Sequence, residues 1–455
     1  MYYILMNKDT QVAYCKDNKI IKLIRDDMLP IGSTKLKKGY DISFWLNKRQ
    51  IPTTRSNYIK IAQSLKSENI DINEFKYLHF GASLTDTFWM FPVTSFFSFS
   101  KYVEKKKKLK SKSKSKSKKP LIPKYSDVKY YEKEAKDGLL QAISENKPIN
   151  REMCDTVPDN VTNGDTMKYW TYRNKNYYLV KQNSAENDKT AEKIIISQLL
   201  MDTINHTRFE INEKKKNIET AEYVYEAGDI PSRSCCYSKC FTDEITGLTS
   251  LEDLEVSLEK TLTIDELIEY LALSDKDLKD YFDFIILFDF ITENRRKKSD
   301  ILFMINNSSN KIMRPAPLTC CSTCFPYIEK DYTRIYKKDD IGTYVNVFGM
   351  TPDEQLEYLA NIKWIDYREL FRNLSEFKDL LENDIDKRQL TLLNLETICN
   401  AISHKLQLIE YRKYEIAEES GELNNNSDDD SDDDYDDSYD DDDDDYGQEE
   451  EDFNV

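Results

Sequence analysis

At ~150 residues per domain, a chain of 455 residues has room for two or three domains, or for one two-lobed unit with appendages. Apolar residues make up 39% and charged residues 33%, a balance more polar than that of a fully packed domain, so part of the chain is expected to be solvated. The net charge of -18 belongs to one end: Asp428 to Val455 holds 18 acidic residues and no Lys or Arg, leaving 65 acidic and 65 basic residues before it, which excludes a body uniformly repelled by polyanions.

The start, MYYILMNKDTQVAYC, lacks a basic stretch followed by an apolar core and does not read as a signal peptide. Two apolar, β-branched runs around Asp17-Asn18 predict a hairpin, and a helix is expected near Tyr40 to Asn47, within a first β/α segment over 1–100. The Lys/Ser tract from Lys105 to Pro120 has almost nothing to bury and repels itself. It is expected to be a disordered linker over 101–124, with Lys105–Lys119 as a candidate surface for an anionic polymer. A small lobe is expected over 125–250. There the Asn163-Gly164 turn, the run Met167 to Arg173, a polar turn and the run Tyr177 to Gln182 predict an antiparallel meander. On its last strand Lys181 shares a face with Leu179. A helix then starts near Asn187 or Asp188, with Ala191, Ile194, Ile195, Leu199 and Leu200 as its buried stripe and Glu192 in its first turn.

From 251 to 420 the pattern is mainly helical. Lys276 to Ile291 places Phe284, Ile285, Phe288 and Ile291 on one stripe, as the central helix of a lobe would. The polar run Glu293 to Asp300 follows, then ILFMIN and IMRPAPL as a second hairpin, then two or three helices over Asp353 to Glu415, and a disordered acidic tail over 421–455. The most apolar windows, Thr87 to Phe99 and Tyr281 to Ile291, are shorter than the ~20 residues that cross a bilayer, so no membrane span is expected. With 11 glycines and no G-x-G, the chain has neither a dinucleotide fingerprint nor a Walker loop. Its three histidines, without H-E-x-x-H, and the absence of G-x-S-x-G exclude zincin and nucleophile-elbow chemistry.

Nine cysteines in a large chain without an export signal suggest a reducing, cytoplasmic setting. The pairs Cys236/Cys240 and Cys321/Cys324 offer four thiols for a tetrahedral zinc site, against the alternative that they are buried free thiols.

Meander, strand Lys, helix Glu, helical lobe, polar loop, hairpin and second loop is the order of parts in a protein-kinase-like α+β fold, with a small antiparallel-sheet lobe and a mainly helical lobe. Taken singly, a strand Lys is usually a snorkelling surface residue and an early-helix Glu usually serves the helix dipole. The run ISFWLNKRQIPTTR (Ile42 to Arg55) with GASLTDTFWM (Gly81 to Met90), NGDTMKYW with YLVK ending at Lys181, the Glu192 helix, FDFITENRRKKSDILFMIN and RPAPLTCCSTCF together resemble the bacterial HipA-like Ser/Thr kinases, in particular a divergent low-GC Gram-positive branch. The resemblance covers most of Met1 to Arg412 and implies a toxin-type kinase whose Lys181 and Glu192 hold the phosphates of ATP.

Two departures stand out. At the family's catalytic D-R-H-x-x-N, Arg295 occupies the Asp position, Arg296 keeps the Arg, Lys297 replaces the His and Asp300 occupies the Asn position, leaving Asp300 as the candidate magnesium ligand. At the family's metal-binding Asp stands Cys320, a poor ligand for a hard cation. The expectation is therefore a HipA-like pseudokinase that binds nucleotide or a protein partner, with Arg295, Arg296, Lys297 and Lys298 contacting phosphates in place of a metal. The alternatives are an active divergent kinase with Glu293 or Asp289 as base, and a scaffold acting through the acidic tail and the Lys/Ser tract.

Overall fold

The computed structural model describes residues 1–93, 124–129, 138–150, 153, 164–211, 217–271, 275–319, 322–326, 344–384 and 395–420. The Lys/Ser tract, the acidic tail, Cys320 and Cys321 lie outside the described residues. The architecture is α+β, with antiparallel sheets followed by a helical region.

The first sheet is built by local pairing. β1 (Tyr2–Asn7), β2 (Thr10–Lys16) and β3 (Lys19–Leu23) are consecutive antiparallel strands. The expected turn at Asp17-Asn18 is present, and a second one at Lys8-Asp9 precedes it; Lys8 and Asp17 take the left-handed conformation at φ 48° and 53°. β4 (Thr34–Lys35), β5 (Tyr40–Asp41) and β6 (Phe88–Val93) complete a six-stranded sheet in the order β4-β5-β3-β2-β1-β6. The expected helix near Tyr40 is shorter than its window, because Tyr40 and Asp41 pair as β5 and α1 spans only Ser43–Asn47. A longer helix, α2 (Tyr58–Ser67), follows.

The W-x-x-x-R and S-L-x-D runs meet here. The Arg49 guanidinium lies 3.8 Å over the Trp45 ring and donates to both Asp86 oxygens at 2.7 and 2.8 Å, and Trp45 Nε1 donates to the same carboxylate at 3.4 Å. These residues tie α1 to the loop before β6, so part of the sequence resemblance is carried by a structural knot. Gly81 is another fixed point. Its φ is +62°, and a β-carbon there would overlap the Met90 methyl and lie 2.9 Å from the Lys76 carbonyl. Gly81→Ala is expected to cost ~2 kcal/mol, seen as a lower urea midpoint with an unchanged slope.

After α3 (Tyr125–Val128) and α4 (Leu139–Ser144), β7 (Met167–Arg173) and β8 (Asn176–Gln182) form the predicted meander. α5 begins at Thr190 and runs to Ile211; Asp188 Oδ1 accepts the Thr190 amide at 3.0 Å, so the helix starts two residues later than the cap signal suggested. β9 (Tyr223–Glu226) and β10 (Cys235–Lys239) then give a four-stranded antiparallel sheet in the order β7-β8-β10-β9. A third sheet crosses the boundary expected at 250. β11 (Thr246–Ser250) pairs with β12 (Leu302–Asn306), which pairs with β13 (Ile312–Pro315). β12 and β13 are the predicted second hairpin.

The helical region contains α6 (Leu251–Leu258), α7 (Ile264–Leu271), α8 (Asp275–Thr292), α9 (Pro352–Ala360), α10 (Tyr367–Asp384) and α11 (Leu395–Glu419). α8 is its core. Phe284, Ile285, Phe288 and Ile291 are buried as the stripe requires, but so are Phe282, Ile286, Leu287 and Phe290, so the helix is enclosed on every side. Its aspartates survive this burial because each has donors. Asp280 pairs with buried Arg208 at 2.7 Å, Asp283 accepts from Tyr358 and Trp364 at 2.5 and 2.9 Å, and Asp289 pairs with Arg296 at 2.8 Å. Among the described residues no helix is long and apolar enough to cross a membrane.

Candidate functional site

A cavity lies between the four-stranded and the three-stranded sheets. Its charged lining is Lys168 from β7, Lys181 from β8, Lys239 from the end of β10 and Asp300 from the turn before β12, and the rings of Trp170 and Tyr223 line it as well. Leu248 of β11 and Leu302 of β12 supply apolar wall. The loop before β6 closes one side: Thr85 lines the cavity and its carbonyl accepts the Leu248 amide at 2.8 Å, while the Leu84 carbonyl accepts Thr242 Oγ1 at 2.6 Å. The first sheet's segment is thus built into the wall of the cavity.

The strand register sets the cationic end. Lys168 and Lys181 are direct cross-strand partners, and Cys236 faces Lys181 from the other side. Alternation then puts Lys168 with Trp170, and Lys181 with Leu179, on the cavity face. Lys181 Nζ sits 5.0 Å over the Tyr223 ring. Lys168 is buried. Desolvation first, then the charges of Arg55 and Lys181, hold its pKa well below the ordinary lysine range, with Asp300 and Asp165 opposing the shift. Lys168 lies between buried Met167 and Tyr169 on β7, a position that strand spacing alone does not mark as a site residue.

Glu192 is fully buried in the first turn of α5. Its oxygens accept from Asn183 Nδ2 at 2.9 Å and from the Tyr225 hydroxyl at 3.0 Å. Burial pushes the Cys236 thiol up, and the charges of both Lys181 and Glu192 act on that thiol, so the two predicted partners flank one point of β10.

The basic run after α8 is dispersed instead of forming one patch. Arg295 is exposed, with its guanidinium 5.9 Å over the Tyr344 ring. Arg296, expected at a phosphate, has an enclosed side chain that donates to Asp289 through Nε at 2.8 Å and Nη2 at 2.9 Å, because α8 buries a carboxylate that needs a cation. Burial still pushes the Asp289 carboxyl up, opposed by Arg296 and Asn294. Lys297 reaches Asp165 at 2.8 Å, and Lys298 pairs with Glu255 at 2.7 Å. Of the Arg295–Asp300 segment, the cavity is lined by Ser299 and Asp300, the latter also accepting the Lys297 amide at 3.0 Å.

Asp165 joins three segments. It accepts from Thr54 Oγ1 at 2.6 Å and from Lys297, and its carbonyl accepts the Ser56 amide at 2.7 Å. Although partial burial opposes ionisation, these two side chains hold its carboxyl below the ordinary range. The turn before β7 is thereby fastened to both the Pro52–Asn57 loop and the polar loop after α8.

The donor chemistry fits the two expected metals unequally. Asp300 offers one oxygen donor at the cavity, compatible with a magnesium ion bound mainly through a nucleotide. For zinc, Cys236 and Cys324 are buried among apolar side chains, and Cys240 Sγ lies 3.1 Å from Thr242 Oγ1. Burial raises the Cys236 and Cys240 thiols, opposing the thiolate that zinc requires. Among the described residues no three metal-ligating side chains converge. The fourth proposed ligand, Cys321, lies outside them.

No protein-family model and no curated protein matches the chain. The solved structures similar to it include the Helicobacter pylori proinflammatory kinase CtkA, at 16% identity over 55% of this chain and 95% of that one with a TM-score of 0.37, and a chain of the Shewanella oneidensis MR-1 toxin antitoxin complex of HipA, HipB and operator DNA, at 10% identity over 92% of this chain and 98% of that one with a TM-score of 0.44.

Proposed function

We propose that the chain is a kinase-like protein of the HipA type that binds a nucleotide such as ATP in the cavity between its second and third sheets, regulates a protein partner, and transfers phosphate poorly or not at all. The observation that carries this reading is the lining of that cavity: Lys168, Lys181 and Lys239 against one carboxylate, Asp300, beside aromatic and apolar walls. Such a combination suits a ligand with a flat base and a polyanionic end. The weak-catalysis part rests on the loop after α8, which turns Arg295 and Arg296 to other contacts and takes up Asp289 in a buried pair. One observation favours the active-kinase alternative, namely that Asp300 lines the cavity with a carboxylate of the kind that holds magnesium.

The test is nucleotide-dependent thermal stabilisation with and without magnesium. ATP at 100 times its dissociation constant is expected to stabilise the fold by ~2.7 kcal/mol, and Lys181→Ala to remove the shift. No shift with any nucleoside di- or triphosphate, in either metal condition, would overturn the proposal.

A further inference from the structure

The first sheet carries a positive surface that none of its own carboxylates neutralises. We propose that this surface, formed by β2, β3 and the β4–β5 hairpin, is the docking surface for the chain's own acidic segment, Asp428 to Val455, held in cis.

Strand register builds the surface. Lys16 of β2 and Lys19 of β3 are direct cross-strand partners. Like charges so opposed are unfavourable unless a counter-charge lies against them. Tyr2 stands opposite Lys16 and Tyr14 opposite Lys22, so the two rings share the face of the lysines, with Lys16 Nζ 5.7 Å over Tyr2 and Lys22 Nζ 5.9 Å over Tyr14. Lys35 of β4 and Lys37 and Lys38 of the turn into β5 continue the charge, in a hairpin closed by the Leu36 amide on the Gly39 carbonyl at 3.0 Å. All six lysines are exposed, and so are Ile21, Ile24 and Leu36 beside them.

Residues 16–41 hold six Lys, one Arg and four Asp. The four aspartates are engaged elsewhere. Asp17 pairs with the N-terminal ammonium, Asp27 pairs with Arg25 at 2.7 Å, and Asp26 accepts the Asp27 amide at 3.0 Å. Asp41, the cross-strand partner of Lys19, accepts the Ser43 amide at 2.6 Å and Asn18 Nδ2 at 3.2 Å. Among the described residues none of the six lysines forms an ion pair.

The acidic segment supplies what this surface lacks. It has 18 acidic residues and no basic one, with Tyr435, Tyr439, Tyr446 and Phe453 spaced among them for the exposed apolar side chains. The 35 residues after Ser420 span up to ~110 Å when extended, several times the radius of gyration of ~22 Å expected of a compact chain this long, so the segment can reach the sheet. One exposed ion pair is weak, but many on a single tether act together.

The experiment is zero-length carbodiimide coupling of the full chain, which joins carboxylates to lysine ammoniums in contact, followed by peptide mapping of the monomer. Coupling of Asp428–Val455 to Lys16, Lys19 and Lys22 is expected at low salt, falling at least about threefold at 0.5 M salt, where the Debye length is ~4 Å. Lys16→Glu with Lys19→Glu should lower the coupling at Lys22, Lys35, Lys37 and Lys38 about fivefold, whereas Lys16→Arg with Lys19→Arg, which keeps the charge, should leave it within about twofold. An unchanged melting curve establishes that the variants fold. Coupling of the acidic segment only to Lys105–Lys119, or only between two chains, overturns the inference. So does coupling at Lys22 that is insensitive to the charge reversal. Protection of these lysines by a single-stranded oligonucleotide, without coupling to the acidic segment, gives the surface to nucleic acid and overturns it as well.

Discussion

Arg296→Ala is expected to lower the folding stability by ~3–5 kcal/mol, one of the largest single-residue effects in the molecule. The Arg296 and Asp289 side chains are 0% and 3% exposed, and the guanidinium meets the carboxylate through two nitrogens. Removing the cation leaves a carboxylate enclosed at the end of α8 beside Asn294, whose Nδ2 donates to it at 2.6 Å. Replacing both partners by apolar groups of similar volume, Arg296→Met with Asp289→Leu, should return most of the loss, because the desolvation of both charges disappears together. Urea unfolding of the single and double variants checks this. The same experiment separates the structural role from phosphate binding: if Arg296 served the nucleotide, Arg296→Ala would weaken ATP and leave the unliganded unfolding midpoint in place.

This pair also marks where sequence reading stops. Four consecutive basic residues, Arg295 to Lys298, read as one patch, yet they contact Tyr344, Asp289, Asp165 and Glu255 respectively. Arg296 points where the buried Asp289 carboxylate needs it, and that depends on packing across a helix end. By contrast, the hairpins at Asp17-Asn18 and between β12 and β13 were legible because turn chemistry is local. The burial of α8 was legible from its apolar run. β9 and β10 were missed because YVYE is short and CCYSK lacks the β-branched alternation of a strand; the cysteines drew attention as metal ligands, although β10 needs Cys236 as an inward-facing strand residue. β11 was missed for a related reason, since TGLTS runs directly into α6. Lys181 was found from its strand, and Lys168 became a site residue only once the β7–β8 register placed it opposite.

Phosphotransfer by the purified chain, to itself or to a general protein substrate, is expected to stay at background. A carboxylate that accepts or orients the substrate proton is worth about 10²- to 10⁴-fold, and metal neutralisation of the transferring group adds to that. At the position expected for the base stands Arg295, an exposed cation beside Tyr344. Of the two stand-ins, Asp289 is enclosed with Arg296, and Glu293 lies 3.6 Å from the Lys405 ammonium on α11. Neither lines the cavity, where Asp300 is the acidic side chain among the described lining residues. Arg295→Asp alone is therefore expected to restore little, since among the described residues it adds a carboxylate without a second acidic side chain beside Asp300 at the cavity. The measurement is transfer of labelled γ-phosphate from ATP at saturating magnesium, for the wild type, Lys181→Ala, Asp300→Ala and Arg295→Asp. Transfer well above background in the wild type, lost in both Lys181→Ala and Asp300→Ala, would replace the pseudokinase reading with that of an active kinase working through Asp300.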